Sequence, residues 1–203
     1  MTKTKNTDSP LQMIKLGLIL ALYAVISCTV LAFVNYATKP KIEQNQINKT
    51  NAAMKSVMKE AENFEEIKDF SVEANSAISV SALYLAKSQD KVIGGVAQVS
   101  GPTYDSATII LGLKTDGTIS GVRFLELTDT PGFGLKANDP TFILPSGKTF
   151  YEQFEDKKFS DGLILGQTVD AISGATITSK GVVDLVNFAC STLTEYFGEH
   201  NYE

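Results

Sequence analysis

The spacing of hydrophobic positions changes twice along the chain. Between Lys15 and Lys39 run 23 residues without a charge, Leu16 to Thr38, apolar on every side. At ~1.5 Å rise per residue such a run crosses a ~30 Å hydrocarbon layer as one helix. Asn35 and Tyr36 stand at one end of it, where an interfacial belt would be. A buried core helix and a cleaved signal peptide are the competing assignments. All-round hydrophobicity and the terminal position argue against the first. The length of the run and the lack of a clean A-x-A site before Lys39 argue against the second. From Lys41 to about Ala61 the pattern becomes amphipathic, with Met54, Val57, Met58 and Ala61 three or four residues apart. Pro40 opens this second helix, because a first helical turn tolerates a missing N–H. Residues 39–69 are read as a stalk helix that docks on the following domain.

From Phe70 the period changes again. Residues 82–87, 92–99, 107–114 and 119–127 read as strands. Thr115-Asp116-Gly117-Thr118 marks a hairpin turn between the last two, with Asp-Gly supplying the positive φ. A loop-rich stretch from Thr128 to Lys148 and a short helix near 150–154 follow. The last element is a helix over about 180–197, with Val182, Leu185, Val186, Ala189, Cys190, Leu193, Tyr196 and Phe197 along one face. The order predicts an α+β architecture: one N-terminal transmembrane helix, then a domain over residues 70–203 with an antiparallel sheet packed by helices.

Charge changes the picture at the N-terminus. Of 18 basic and 23 acidic residues, Lys3, Lys5, Lys15 and Asp8 fall within residues 1–15, so the remainder is more acidic than the net charge of -5 implies. Lys39 and Lys41 beyond the apolar run reduce the positive-inside contrast. A short basic head followed by a long acidic domain still favours a cytoplasmic head and an extracytoplasmic domain. Nucleic acid is disfavoured as a partner, because clustered Lys and Arg are missing and Arg123 is the only arginine.

The inventory of reactive residues is small. Cys28 and Cys190 form no CxxC pair, and His200 is the single histidine, which excludes a histidine triad or a multi-histidine metal site. The segment left to carry chemistry is Asp170-Ala171-Ile172-Ser173-Gly174-Ala175-Thr176-Ile177-Thr178-Ser179, a small-residue loop running into a helix start. Two roles stay open on the residues alone. The unpaired N–H groups and the helix dipole favour a phosphate, while the hydroxyls of Ser173, Thr176, Thr178 and Ser179 suit a helix cap.

The run Asp170 to Thr176 resembles the Asp-x-x-(Ser/Thr)-Gly-Ala-Thr flavinylation motif of the FMN-binding domain family, with Asp170, Ser173, Gly174, Ala175 and Thr176 matching. The resemblance implies that Thr176 is esterified to the phosphate of FMN by a separate, magnesium-dependent flavin transferase that uses FAD. Thr178 is a further hydroxyl of that site. An external enzyme also suits the inventory, since a threonine hydroxyl is a poor nucleophile without a base and Asp170 is the only base nearby. A second run, Thr128-Asp129-Thr130-Pro131-Gly132-Phe133-Gly134-Leu135-Lys136, resembles the Glu-Thr-Pro-Gly-x-Gly segment of the G subunit of the Rnf complex and of the C subunit of the sodium-pumping NADH:quinone oxidoreductase. Asp129 stands where those proteins have Glu. By itself the run is a Pro-Gly turn after a strand. In the family the loop borders the flavin, so Thr130, Pro131, Gly132 and Gly134 would approach the isoalloxazine and Leu135 would cover it. Lys136 would stabilise negative charge on the reduced ring or be a solvated surface lysine. Tyr104 is similar to a family position near the sheet entrance, and a packing role is equally open to it.

The resemblance runs from the anchor to the last helix, and the length fits the Rnf G subunit better than the quinone-oxidoreductase subunit. It implies an electron-transfer subunit with one covalent FMN and no separate catalytic site. Its partners would be other membrane subunits of an ion-translocating ferredoxin:NAD oxidoreductase. The alternatives are a stand-alone anchored flavoprotein serving an extracytoplasmic reductase, and an anchored interaction domain without cofactor.

Overall fold

Residues 10–68, 70, 77–200 and 202 are described by a computed structural model. Most of the expected basic head, residues 1–9, lies outside them. The chain divides into two units, Met1–Asn48 and Lys49–Glu203.

Helix α1, Pro10–Val57, is continuous over 48 residues with Pro40 inside it. Pro40 therefore does not open a new helix. Its missing N–H frees only the Tyr36 carbonyl, one bond among many in a helix this long. Thr38 Oγ1 donates back to the Val34 carbonyl at 2.8 Å in the same stretch. In the first unit the apolar side chains from Leu16 to Tyr36 are exposed. Among the described residues this is the one helix long and apolar enough to cross a membrane.

The second unit is an α+β domain. Five strands, β1 (Asn63–Ile67), β2 (Ser79–Ser88), β3 (Lys91–Pro102), β4 (Ser106–Lys114) and β5 (Ile119–Leu127), pair in sequence order as one antiparallel sheet. Strand β1 falls inside the residues expected to be stalk helix, so the helical part of 39–69 ends at Val57. Its sequence, Asn-Phe-Glu-Glu-Ile, has little intrinsic strand preference, and its charges suit an exposed sheet edge. Strands β2 and β3 are longer than expected and joined at Gln89-Asp90, both at positive φ as a tight hairpin requires. The expected Asp116-Gly117 turn is present, with Gly117 at φ +77° and Asp116 Oδ1 accepting from the Thr118 amide at 2.9 Å.

The sheet is covered on both faces, as alternation along the strands dictates. Ile109, Leu111 and Leu113 belong to the core shared with helix α2, Thr176–His200, through Val182, Leu185, Val186, Ala189 and Leu193. Ile110, Val96 and Ala86 pack with Met54, Val57 and Met58 at the end of α1. That end rests directly on sheet backbone. A Cβ on Gly112 would come within 3.0 Å of the Val57 carbonyl oxygen, and one on Gly94 within 2.9 Å of Met58 Cε.

Beyond β5 the chain makes three 3-10 turns, Gly134–Asn138, Glu152–Phe154 and Phe159–Asp161. The second stands where a short helix was expected. It is held by a reciprocal cap: Thr149 Oγ1 donates to Glu152 Oε2 at 2.6 Å, and the Glu152 amide donates to Thr149 Oγ1 at 3.3 Å. Phe150 and Phe154, both fully buried, meet edge to face at 5.8 Å beneath it. Arg123 ties β5 to this turn through Glu155 at 3.1 Å and lies 4.8 Å from the Tyr151 ring centroid.

Candidate functional site

Helix α2 begins at Thr176, four residues before the periodicity of its apolar face suggested. The Ala175 carbonyl accepts the first helical bond, from the Ser179 amide at 2.9 Å. Alanine therefore occupies the cap position and offers no side chain to the first turn, whose N–H groups have no carbonyl four residues back. Just before it, the Ala175 amide donates to the Ile172 carbonyl at 2.9 Å, closing a turn with Gly174 at φ +79°. A positive φ at the third residue of such a turn is what glycine supplies.

The loop is fastened from beneath by Gln153, which is 5% exposed. Its Oε1 accepts from the Asp170 amide at 2.7 Å and its Nε2 donates to the Asp170 carbonyl at 3.2 Å. Both backbone groups of Asp170 are thereby used, and its side chain stays exposed. The chain of support runs from the Thr149–Glu152 cap to Gln153 and on to the loop. The Thr149 hydroxyl and amide hold the Glu152 carboxyl below the ordinary carboxylate range.

The four hydroxyls of the loop separate by direction. Ser179 is fully buried; its Oγ accepts from the Ile172 amide at 2.9 Å and donates to the Ala175 carbonyl at 3.0 Å. Thr178 is 2% exposed. Ser173 and Thr176 are exposed, and of these two only Thr176 lines the adjoining cavity.

That cavity, of about 490 Å³, is lined by Tyr104, Thr130, Phe133, Gly134 and the run Gly174–Thr178. It brings together Tyr104, Thr130, Gly134, Gly174, Ala175, Thr176 and Thr178 from the residues singled out in the sequence. Pro131, Gly132 and Ser173 are exposed beside it without lining it, and Asp170 stands further back on the Gln153 clamp. Leu135 and Lys136 are half-buried in the 3-10 turn outside the lining, and the Lys136 ammonium lies 5.2 Å from the Phe142 ring centroid. The apolar wall is made instead by Phe133 and Ile177, 55% and 61% exposed, which the motifs did not single out. A Cβ on Gly174 would lie 3.4 Å from the Phe133 ring, so Gly174 gives that ring its place. A large apolar residue between Gly132 and Gly134 was the available signal for Phe133.

Asp129 joins the three parts of the site and was read only as a departure from Glu. It is 3% exposed. Its Oδ1 accepts from Thr103 Oγ1 at 2.6 Å and from the Asp105 amide at 2.9 Å. A Cβ on Gly134 would fall 2.6 Å from Asp129 Oδ2 and 2.6 Å from Thr178 Oγ1. One carboxylate thus gathers the Thr103 loop, the Gly134 loop and the start of α2. Burial pushes its pKa up, but the Thr103 and Thr178 hydroxyls with the Asp105 and Tyr104 amides outweigh that and hold it below the ordinary range. Cys190, buried in the α2 core, is pushed up to about 12 by burial, so it presents an inert thiol.

The geometry is that of a half-open cavity with an exposed hydroxyl, uncapped helix amides and glycine on one side and aromatic and aliphatic surface on the other. These features suit a flat heteroaromatic ligand that carries a phosphate.

The chain matches the FMN-binding domain family over residues 104–191, a range that contains every cavity-lining residue. It matches the RnfG N-terminal region over residues 1–57, ending where α1 ends. The G subunit of the Na(+)-translocating ferredoxin:NAD(+) oxidoreductase complex of Acetobacterium woodii is 31% identical over 86% of this chain and 88% of its own length. The proton-translocating counterpart of Clostridium ljungdahlii is 27% identical over 98% and 99%. The G subunit of an ion-translocating oxidoreductase complex of Aliivibrio fischeri is 32% identical over 86% and 87%. The chain belongs to the family of Rnf complex G subunits and carries that family's FMN-binding domain.

Proposed function

We propose that this protein is the electron-transfer G subunit of an Rnf-type ferredoxin:NAD oxidoreductase, carrying one FMN through a phosphoester to Thr176. The observation that carries the attachment is the separation of the hydroxyls. Of the four hydroxyls in the loop before α2, Thr178 and Ser179 are buried and Ser173 lies off the cavity, which leaves Thr176 as the one that is both exposed and in its wall. The first-turn amides of α2 would hold the phosphate, and Phe133, Ile177 and Tyr104 would flank the ring system. Bound FMN supplies the redox chemistry; the chain supplies its place and surroundings.

Maturation is assigned to a separate flavin transferase. Thr176 Oγ1 forms the new bond to the FMN phosphorus of FAD, the bond to AMP breaks, and the threonine proton passes to a base on that enzyme. Among the described residues no carboxylate or histidine lines the cavity, and Asp170 stands off it on the Gln153 clamp. His200 closes the same helix 24 residues on, roughly 36 Å away at ~1.5 Å per residue. Asp129 is buried behind the cavity wall, with its Oδ1 accepting from Thr103 and Asp105. A covalent tether suits a domain on the outer side of the membrane, where a dissociated flavin would be lost, and we place the second unit there with α1 as its anchor.

The test is co-expression with a flavin transferase, then denaturation and intact mass. The expected result is one FMN less one water on the wild-type chain, with flavin fluorescence on the denatured band. A colourless wild-type chain of unmodified mass would remove the flavoprotein reading. Co-purification with other membrane subunits of the complex separates the G-subunit role from a stand-alone anchored flavoprotein.

A further inference from the structure

Behind the cavity wall lies a charged group that the attachment does not use. Asp129 is the one charged residue among the buried described residues. Its Oδ1 is bonded twice, while its Oδ2, on the side of the Thr178 hydroxyl, makes no hydrogen bond of ordinary geometry. That oxygen lies against Gly134 and Thr178, which both line the cavity. None of the lining residues carries a charge, and the Lys136 ammonium is placed over Phe142 instead.

We propose that Asp129 acts as a positioning residue with a fixed negative charge that lowers the reduction potential of the flavin in this cavity. The inference rests on the reading that FMN occupies the site. Two-electron reduction leaves negative charge on the ring wherever fewer than two protons are taken up. A nearby carboxylate opposes that charge, and burial limits its screening by water and salt. An oxygen without a well-formed hydrogen bond leaves the carboxylate incompletely neutralised, so more of its field reaches the cavity. The donors around Oδ1 keep the group ionised at neutral pH.

The experiment is a spectroelectrochemical titration at pH 8 of the full-length flavinylated protein in detergent, with dithionite as reductant. Asp129→Asn keeps the shape and removes the charge. Its midpoint should rise by at least ~30 mV, the equivalent of tenfold in a two-electron equilibrium. Thr103→Val keeps the charge and removes its 2.6 Å donor, so its midpoint should fall. A merely structural role would move both variants the same way. An unmoved midpoint in Asp129→Asn that carries full FMN mass overturns the inference, as does a rise in Thr103→Val. Should Asp129→Asn fail to fold or to hold flavin, the sign of the Thr103→Val shift decides alone. Wild-type protein without the FMN mass would instead overturn the attachment reading.

Discussion

The site has an inward and an outward half, built from the same residue types. Asp129 and Asp170 are both loop aspartates, yet Asp129 turns its carboxylate inward to gather three segments, while Asp170 is held by its backbone and leaves its carboxylate in solvent. Thr178 and Thr176 lie two positions apart on one helix, and two positions turn a side chain by about 200°. Thr178 is therefore buried at the back of the cavity wall, while Thr176 stands exposed at its mouth. Residue type does not assign a role here; the facing of the backbone does. The inward residues carry stability and the outward ones carry chemistry, and each variant below tests that division.

The largest effect is expected at the outward threonine. Thr176→Ala should remove the FMN mass completely, while the exposed position keeps stability within about 0.5 kcal/mol of wild type. Intact mass and a thermal melt of the same sample check both halves of the statement. FMN retained on Thr176→Ala would break the comparison at its central residue.

Next comes the seam between the halves. Gly134→Ala adds a Cβ 2.6 Å from Asp129 Cβ, Asp129 Oδ2 and Thr178 Oγ1. Overpacking of this kind typically costs about 1–3 kcal/mol. Urea denaturation should show the loss, because the crowded atoms belong to the inward half. A fully stable Gly134→Ala would mean that the Asp129 cluster is looser than its distances state.

A smaller effect concerns acid. The Asp129 pKa is lowered in the folded state, so its contribution is complete above the unfolded value of about 3.9 and is lost as pH falls through the folded value. Glu152 behaves in the same direction, so wild-type stability should fall on acidification for more than one reason. Asp129→Asn should therefore fall less steeply than wild type between pH 5 and pH 3 in matched denaturant titrations. Parallel curves would show that Asp129 takes up its proton over the same pH range folded and unfolded, so that the fold does not lower its pKa.

Legibility in the sequence followed the same division. Strand β5 and the Asp116-Gly117 turn were read at their observed positions, because alternation and turn chemistry are local. The apolar anchor was visible as an uncharged run, but its continuity through Pro40 was not, since a single proline gives no sign of how far the helix continues past it. Strand β1 escaped because its Glu65 and Glu66 show a sheet edge only once β2 pairs with it. At the site, the motifs pointed to Thr176, Gly134 and Gly174 because small residues and hydroxyls before a helix have a local meaning. The roles of Asp129, Gln153 and Phe133 depend on contacts with residues far along the chain, such as Phe133 over Gly174, 41 positions away, and periodicity carries no trace of such pairings.

The smallest expected effect tests the outward half against its own motif. Ser173 matches the Ser/Thr position of the flavinylation pattern, yet it is the second residue of the Ile172–Ala175 turn and lies off the cavity lining. No hydrogen bond of its hydroxyl fastens the loop; the Gln153 clamp and Ser179 do that. Ser173→Ala should consequently leave stability within about 0.5 kcal/mol and reach full FMN mass on co-expression with the transferase. A loss of FMN mass at unchanged stability would assign Ser173 to recognition by that enzyme, because the fold gives it nothing else to hold. The outward half would then divide again, into a residue that is read and a residue that is modified.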